Sequence, residues 1–352
     1  MMFKKALEID PEYALAHAGL ADAYAQRAFR FDFAQVWLDS AYVAANKAIG
    51  LNSELAEAHK ALGLVYDLEG RYSEARDAYT KALEYNPNLV VAVENLGWNA
   101  LVSGRADEAI HLFNKSIRLG RDEESLAETF GGLGIAYLLL DDLETARQYF
   151  EKALEIRRYE LFSNAGLMWL EMAEQRYDEI RDRILRLMML TPDHPSLLQW
   201  LGMVEVMEGN LSEARQHLAK AVELYEGRRS LLGGPRDCQV QLAYVLWQLG
   251  EIEAANVLLD EASNAIKRAI KDGNEEGEQF YWLAQAECIR GNRTEALRWL
   301  QKALDSDFVV IRVVEMDPLL ADLRDDPQFK EMTADFKARI ANMRERVEKN
   351  DR

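Results

Sequence analysis

Five histidines are the side chains best suited to bind a metal or to carry a proton at neutral pH. They are His17, His59, His111, His194 and His217. No two of them have the spacing of ligands to one metal ion. The two cysteines, Cys238 and Cys288, lie far apart and form no Cys-x-x-Cys pair. No Ser–His–Asp order and no nucleophile elbow is present. The sequence therefore predicts no metal site, no cofactor and no enzyme activity.

A glycine-rich string, FGGLGIAY at residues 130–137, is the one candidate for a nucleotide-binding loop. Such a loop follows a strand and opens a helix. Here Gly131, Gly132 and Gly134 lie inside a helical pattern, so we interpret them as packing positions. The acidic strings DEES and GNEEGE do not match the ligand spacing of a calcium loop and are interpreted as solvated turns.

Four arginines cluster within one predicted helix. They are Arg176, Arg181, Arg183 and Arg186. We expect a solvated outer face there, and contact with an acidic peptide is the alternative.

Charge limits the classes of partner. Lys and Arg number 42 against 60 Asp and Glu, which gives a net charge of −18 over 352 residues. Such an acidic surface repels phosphate backbones, so nucleic acid is not an expected partner, whereas a basic or apolar protein segment is compatible. No run of 18 apolar residues and no signal peptide is present, so we expect no membrane insertion. The sparse cysteines suit a reducing compartment, and we predict a cytoplasmic location.

Apolar residues recur at i, i+3, i+4 and i+7 along most of the chain, which predicts helices almost throughout. The stretch HKALGLVYDLEGRYSEARDAYTKALEYNP, residues 59–87, shows a longer period. With Ala56 as position one, the small residues Gly63 and Ala75 fall at positions eight and twenty. The large Tyr79 falls at position twenty-four, and Pro87 ends the unit. This spacing matches the tetratricopeptide repeat (TPR), a helix–turn–helix of 34 residues.

The same register recurs and predicts eight units. They are 14–55, 56–89, 90–126, 127–160, 161–194, 195–235, 236–276 and 277–310. We therefore expect an all-α fold, a right-handed TPR superhelix, or α-solenoid, of about eight helical hairpins. The first unit carries about eight extra residues between its helices, including Phe29, Phe31, Phe33 and Trp37. We expect lengthened helices whose extra turns pack together. Gly233, Gly234 and Pro235 mark a predicted flexible point between two halves.

Both ends depart from the register. Residues 1–13 read as the second helix of an incomplete repeat, with Phe3 at position twenty-four. We favour a start inside a longer repeat region over a single capping helix, and the apolar edge that results could pair with a second copy. Residues 311–352 are predicted to form a capping segment and helix, begun by Asp326 and Pro327. The apolar face of that helix comprises Phe329, Met332, Phe336, Ile340 and Met343.

The strings KKALEIDPEYALAHAGLADAYA and LADLRDDPQFKEM resemble the TPR regions of multidomain bacterial signalling proteins. In those proteins the array accompanies a Ser/Thr kinase, an adenylate cyclase or a DNA-binding domain. The resemblance implies the docking or regulatory part of a signalling system.

In TPR proteins the first helices line the concave surface, and certain positions on them point inward. In this chain those positions predict an apolar groove formed by Trp98, Leu101, Ile135, Leu138, Phe162, Trp169, Met172, Met203, Met207, Tyr244, Trp247 and Tyr281. Trp200 and Trp282 lie beside this set. The alternative groove, a clamp for acidic tails, needs Lys and Asn at these positions. Lys60 fits, but Leu64 and Trp98 do not, so we predict no clamp.

The leading hypothesis is a non-enzymatic scaffold that binds an apolar or amphipathic protein segment in this groove, and a basic segment is compatible with the charge of the array. One alternative is a regulatory module in which a small molecule fills the groove. Another is a self-assembly element that forms a homo-oligomer through the N-terminal edge.

Overall fold

A computed structural model describes residues 2–30, 35–120, 123–159, 161–225, 234–273, 277–306 and 309–350. All regular secondary structure in these ranges is helical. The helices form hairpins, in which a first helix and a second helix lie side by side and successive hairpins stack. The fold within the described ranges is thus an all-α solenoid, as the sequence predicts.

Eight hairpins account for the chain from α2 to α17 within the described ranges. The first helices are α2 Ala14–Arg30, α4 Ala56–Leu68, α6 Val90–Val102, α8 Glu123–Leu139, α10 Leu161–Ala173, α12 Pro195–Glu208, α14 Pro235–Gln248 and α16 Gly277–Ile289. The second helices are α3 Gln35–Leu51, α5 Tyr72–Tyr85, α7 Ala106–Leu119, α9 Leu143–Ile156, α11 Tyr177–Met188, α13 Leu211–Tyr225, α15 Ile252–Lys271 and α17 Arg293–Asp305. Most first helices begin at the residue that the register gives as position one, but α8 begins four residues before Ala127.

Close packing within a hairpin depends on a glycine at position eight. A Cβ on Gly63 would lie 2.6 Å from the ring of Tyr79, and one on Gly134 would lie 2.5 Å from the ring of Phe150. Real side chains do not approach this closely, so the missing Cβ makes room for the aromatic ring. A Cβ on Gly132 would likewise lie 2.6 Å from the ring of Phe113. The interpretation of Gly132 and Gly134 as packing positions is therefore confirmed.

A second glycine, at position six, joins neighbouring hairpins. Gly132 belongs to the fourth hairpin but receives Phe113 of the third, and Gly166 of the fifth receives Phe150 of the fourth. The short helix α1, Met2–Ile9, follows the same rule, because the ring of Phe3 lies on Gly19 of α2. Helix α1 therefore packs on the first hairpin as a second helix packs on the hairpin that follows it.

The fifth hairpin lacks the small residues. Met168, Ile180 and Leu187 occupy its positions eight, twenty and twenty-seven, and all three are buried. Helices α10 and α11 consequently approach each other less closely than the helices of the other hairpins do.

The first hairpin is lengthened. Helices α2 and α3 each have 17 residues, against 13 in α4. Trp37 stacks on Tyr24 with ring centroids 5.7 Å apart, and the guanidinium of Arg27 lies 4.2 Å from the Trp37 centroid. Of the other aromatics predicted to pack there, Phe31, Phe33 and the side chain of Phe29 lie outside the described residues. Gly233, at the predicted flexible point, does so as well.

After α17 the chain folds back over the array. We call residues 309–326 the C-terminal arm. It contains α18, Ile311–Met316, and a 3₁₀ helix, Pro318–Leu323. Helix α18 contacts α10, and the 3₁₀ helix contacts α16.

The long helix α19, Pro327–Asn350, follows the arm. Asp326 caps its first turn by accepting a hydrogen bond from the Gln328 amide at 2.8 Å. Its predicted apolar face, Phe329 to Met343, is buried. The face covers α17 of the last hairpin, as expected, and also α7 of the third, where Arg346 pairs with Asp107 at 2.5 Å. The cap therefore connects the last hairpin to the third.

Candidate partner-binding surface

Trp169 is the most exposed aromatic residue of the predicted groove. It lies on α10, and its ring meets that of Trp200 on α12 edge to face, with centroids 4.7 Å apart and planes at 76°. Trp169 remains 40% exposed, whereas Trp200 is only 7% exposed. Such edge-to-face contact fixes the orientation of both rings. The buried Trp200 thus holds the exposed Trp169 in place on the surface.

Met203 and Met207 lie on α12, beside the Trp169–Trp200 pair, and both are half-buried. Met207 packs against the cluster that contains Trp200, and Met203 packs against the next cluster along the array. Trp247, on α14, packs against the same cluster as Met203. Flexible thioether side chains next to a fixed aromatic ring allow this surface to adapt to different partner side chains.

Trp98 and Phe162 meet although they belong to the third and fifth hairpins. Their ring centroids are 5.1 Å apart, with planes at 76°. They meet over the intervening helix α8, where Phe162 passes 3.7 Å from the point that a Gly131 Cβ would occupy. Ile135, also on α8, is half-buried nearby in the array's core clusters. The contact therefore joins two hairpins that are not consecutive in the chain.

Three of the predicted groove residues are buried in the core. Leu101, Leu138 and Met172 are each less than 5% exposed. All three occupy position twelve, the last turn of a first helix. The prediction that they line an open groove is wrong for the folded chain, because the C-terminal arm packs on the clusters to which they belong. Val310 packs against the cluster of Leu138, and Val313 packs against that of Met172.

The arm also engages the far end of the predicted groove. The Tyr281 hydroxyl donates a hydrogen bond to Asp317 of the arm at 2.5 Å, and the Gln285 amide donates one to the same oxygen at 2.7 Å. Burial raises the pKa of Tyr281 well above its ordinary value, and the Asp317 charge adds to this effect. Burial likewise raises the pKa of the Asp317 carboxyl. Leu319 of the arm joins the cluster on which Tyr244 and Trp247 pack.

A buried polar network lies between the sixth and seventh hairpins. Gln199 donates to Asp237 at 2.6 Å, and Tyr225 donates to Gln199 at 2.9 Å. Burial raises the pKa of Asp237 to about 6. A buried, hydrogen-bonded network of this kind fixes the relative position of two hairpins rather than catalysing a reaction.

The arginine cluster is the expected solvated face only in part, because Arg186 is exposed whereas Arg181 and Arg183 are half-buried. Arg183 pairs with the buried Glu171 of α10 at 2.5 Å, and Arg181 pairs with Glu205 of α12 at 2.5 Å. These arginines neutralise glutamates of the first helices, so they are not free to hold an acidic peptide. Lys60, the one residue that fits the clamp for acidic tails, pairs with Asp22 at 2.6 Å.

Neither reactive thiols nor metal ligands mark the described residues as an active site. Both cysteines are buried, and burial raises the pKa of the Cys288 thiol to about 12. Thiols with such a pKa stay protonated and react poorly at neutral pH. Within the described ranges no three His, Cys, Asp or Glu side chains converge to hold a metal ion. None of the helices described there is both long and apolar enough to cross a bilayer.

Comparison with known proteins identifies the repeats. The tetratricopeptide repeat family matches residues 56–89, 89–158 and 237–261. Over 143 residues the chain is 33% identical to the type IV pilus assembly protein PilF of Pseudomonas aeruginosa, which covers 40% of this chain and 54% of that protein. Over 135 residues it is 23% identical to the BBSome complex member BBS4 of Xenopus tropicalis, which covers 38% and 25%. The match thus spans about half of the first relative and a quarter of the second.

Solved structures show the same fold. The human IFIT1 dimer with PPP-AAAA aligns with a TM-score of 0.55 at 17% identity, over 86% of this chain and 66% of that one. A tetratricopeptide repeat protein from Parabacteroides merdae aligns with a TM-score of 0.50 at 18% identity, over 79% and 99%. The chain is a TPR α-solenoid, and proteins of this architecture generally bind other proteins through extended concave surfaces.

Proposed function

We propose that this protein is a non-enzymatic interaction scaffold that binds a protein segment on the inner face of the array, as the docking or regulatory part of a larger signalling system. The exposed Trp169, whose ring is held by Trp200, carries the proposal. Its ring is exposed and held in one orientation, and Trp is among the residues that dominate the energetics of protein interfaces.

The charge of the chain supports an amphipathic, basic partner. The net charge is −18, with 60 Asp and Glu against 42 Lys and Arg. A helix with an apolar stripe for Trp169 and with lysines or arginines along its edges would complement this surface.

A capture experiment with the full chain tests the proposal. The partner is first isolated from the native host by crosslinking to the wild-type protein and is then made in pure form. The Trp169→Ala variant should bind it about thirtyfold more weakly, because losing an aromatic anchor at an interface costs about 2 kcal/mol. The double variant Trp169→Ala with Trp247→Ala should lose binding further.

Leu185→Ala is the matched control. Leu185 is 52% exposed on α11, the second helix of the hairpin that carries Trp169. This variant should bind as tightly as the wild type. Unchanged binding by a Trp169→Ala protein whose circular dichroism spectrum is still native would disprove the proposal.

A further inference from the structure

The C-terminal arm lies where a bound partner segment is expected. Its residues Val310 and Val313 pack against clusters that contain two predicted groove residues, Leu138 and Met172 respectively. Further along, Asp317 accepts hydrogen bonds from Tyr281 and Gln285. The arm thus follows the first helices from the fourth hairpin to the eighth.

We call the site that holds Asp317 and Leu319 of the arm the seat, and its hydrogen-bonding groups are specific. Tyr281 and Gln285 present a hydroxyl and an amide that both donate to one carboxylate oxygen. The arm backbone adds to the arrangement, because the Leu319 amide donates to the other oxygen of Asp317 at 2.8 Å. Leu319 itself enters the apolar cluster of Tyr244 and Trp247. The seat therefore accepts a carboxylate followed two residues later by a leucine.

The outer edge of the arm is held by an exposed ion pair. Arg312 donates two hydrogen bonds to Asp141, at 2.5 and 3.2 Å, and its side chain is 49% exposed. Ion pairs at this exposure contribute little and are screened by salt. An open cleft of 410 Å³ lies beside this edge, and Asp141, Ile311 and Ile340 are among the residues that line it. The arm is thus anchored at Asp317 and through buried apolar residues such as Ile311 and Val314, whereas its outer edge is held by an exposed ion pair.

We infer that the arm is an intramolecular stand-in for the partner segment, and that the partner carries the same pattern: branched aliphatic residues one turn apart, then a carboxylate, then a leucine two residues on. This inference rests on the proposed function and specifies the ligand of the same inner face. The arm and the partner compete for one seat, so the closed chain binds weakly until the arm leaves. Basic residues elsewhere in the partner would still meet the acidic array.

A synthetic peptide with the sequence of residues 309–326, labelled with fluorescein, is the probe. It is titrated against the full-length wild type and against full-length Asp317→Ala with Leu319→Ala, in which the arm loses its anchor but the seat is intact. Fluorescence anisotropy should show at least tenfold tighter binding to the double variant. Asp325→Ala changes a fully exposed arm residue and should bind the probe as the wild type does.

Two further measurements keep the result interpretable. Hydrogen exchange should show that residues 311–323 of the double variant lose protection while the helices of the array keep theirs. A second probe, with Ala at the position of Asp317, should bind the double variant at least tenfold more weakly than the first probe does. Equal affinity of the first probe for wild type and double variant, or an arm that stays protected in the double variant, would overturn the inference.

The inference and the proposed function fail separately. The seat is built from Tyr281, Gln285 and Tyr244, whereas capture of the purified partner depends on Trp169. If the arm peptide does not bind, the inference about the arm is wrong, but the dependence of capture on Trp169 is unaffected. If Trp169→Ala does not weaken capture, the proposed function is wrong, but the peptide measurement is unaffected.

Discussion

The ring of Phe150 lies directly against Gly166, the glycine at position six of the next hairpin. Gly134 of its own hairpin flanks the same ring, so Phe150 is enclosed by two helices from different units. A single aromatic side chain thereby sets the spacing within one hairpin and between two hairpins. The solenoid depends on such shared contacts because each hairpin alone cannot bury its apolar face.

Gly166→Ala should destabilise the protein by about 1–3 kcal/mol, because the added methyl group overlaps the Phe150 ring and forces the two hairpins apart. Urea unfolding followed by circular dichroism measures the change. Gly50→Ala is the control, since a Cβ there meets nothing within 4 Å. It should leave stability unchanged or raise it by up to about 1 kcal/mol through helix propensity. Equal stability of the two variants would contradict this account of the glycine.

Removing Arg183 should be costly. Its side chain is 17% exposed and pairs with Glu171, which is 2% exposed. Arg183→Leu leaves a buried carboxylate without its cation and should destabilise the fold by about 3–5 kcal/mol. The double variant Arg183→Leu with Glu171→Leu should recover much of that loss, as urea unfolding of the set would show.

An exposed pair provides the contrast. Arg215 and Glu251 are 48% and 38% exposed, and Arg215→Leu should cost less than about 1 kcal/mol. If Arg183→Leu costs no more than Arg215→Leu, the buried pair does not hold α10 and α11 together.

Asp67 should make stability depend on pH. Tyr79 and Asn99 each donate a hydrogen bond to its carboxylate at 2.8 Å, and burial raises its pKa to about 7. A raised pKa means that the folded state binds the proton more tightly than the unfolded state does. This contribution to stability is full below pH 4 and is lost as the pH rises through 7.

The unfolding free energy of the wild type minus that of Asp67→Asn should therefore become more positive as the pH falls from 8 to 5. Taking the difference cancels groups common to both proteins, including His194 and His217, whose pKa values burial lowers. A constant difference for Asp67→Asn would show that this carboxyl titrates normally.

Self-association through α1 stays a prediction of the sequence. Met2 and Ile9 are 80% and 87% exposed on this helix, so an apolar edge is present. Ile9→Glu would abolish an assembly formed there without disturbing the contact between Phe3 and Gly19. Light scattering of both proteins measures the mass. An assembly that survives Ile9→Glu must use another surface.

Much of the fold could be predicted because the repeat is encoded locally. Small residues at position eight and aromatic residues at position twenty-four lie within one hairpin, so their spacing in the sequence fixes how they meet. The role of position six was missed, since Gly132 and Gly166 receive side chains from the preceding hairpin and not from their own. The glycines themselves were the available signal, recurring two residues before position eight.

The candidate surface was predicted only in part. Trp169 faces outward because its helix and its position in the repeat decide that direction. Leu101, Leu138 and Met172 have equally favourable positions but lie in the core, since residues 309–326 return to cover their clusters. The apolar string VVIRVV of the arm lies outside the repeat register. It was the signal in the sequence that this segment packs against the hairpins.

The sequence by itself determined the all-helical fold and its stacked hairpins, because both follow from side chains a few residues or one repeat apart. Only the tertiary structure decided which part of their inner face stays open. Asp141 and Arg312, or Tyr281 and Asp317, meet because the superhelix curves back on itself and brings the arm to its inner wall. No periodic pattern records that meeting, since it depends on the summed geometry of every hairpin between the two residues.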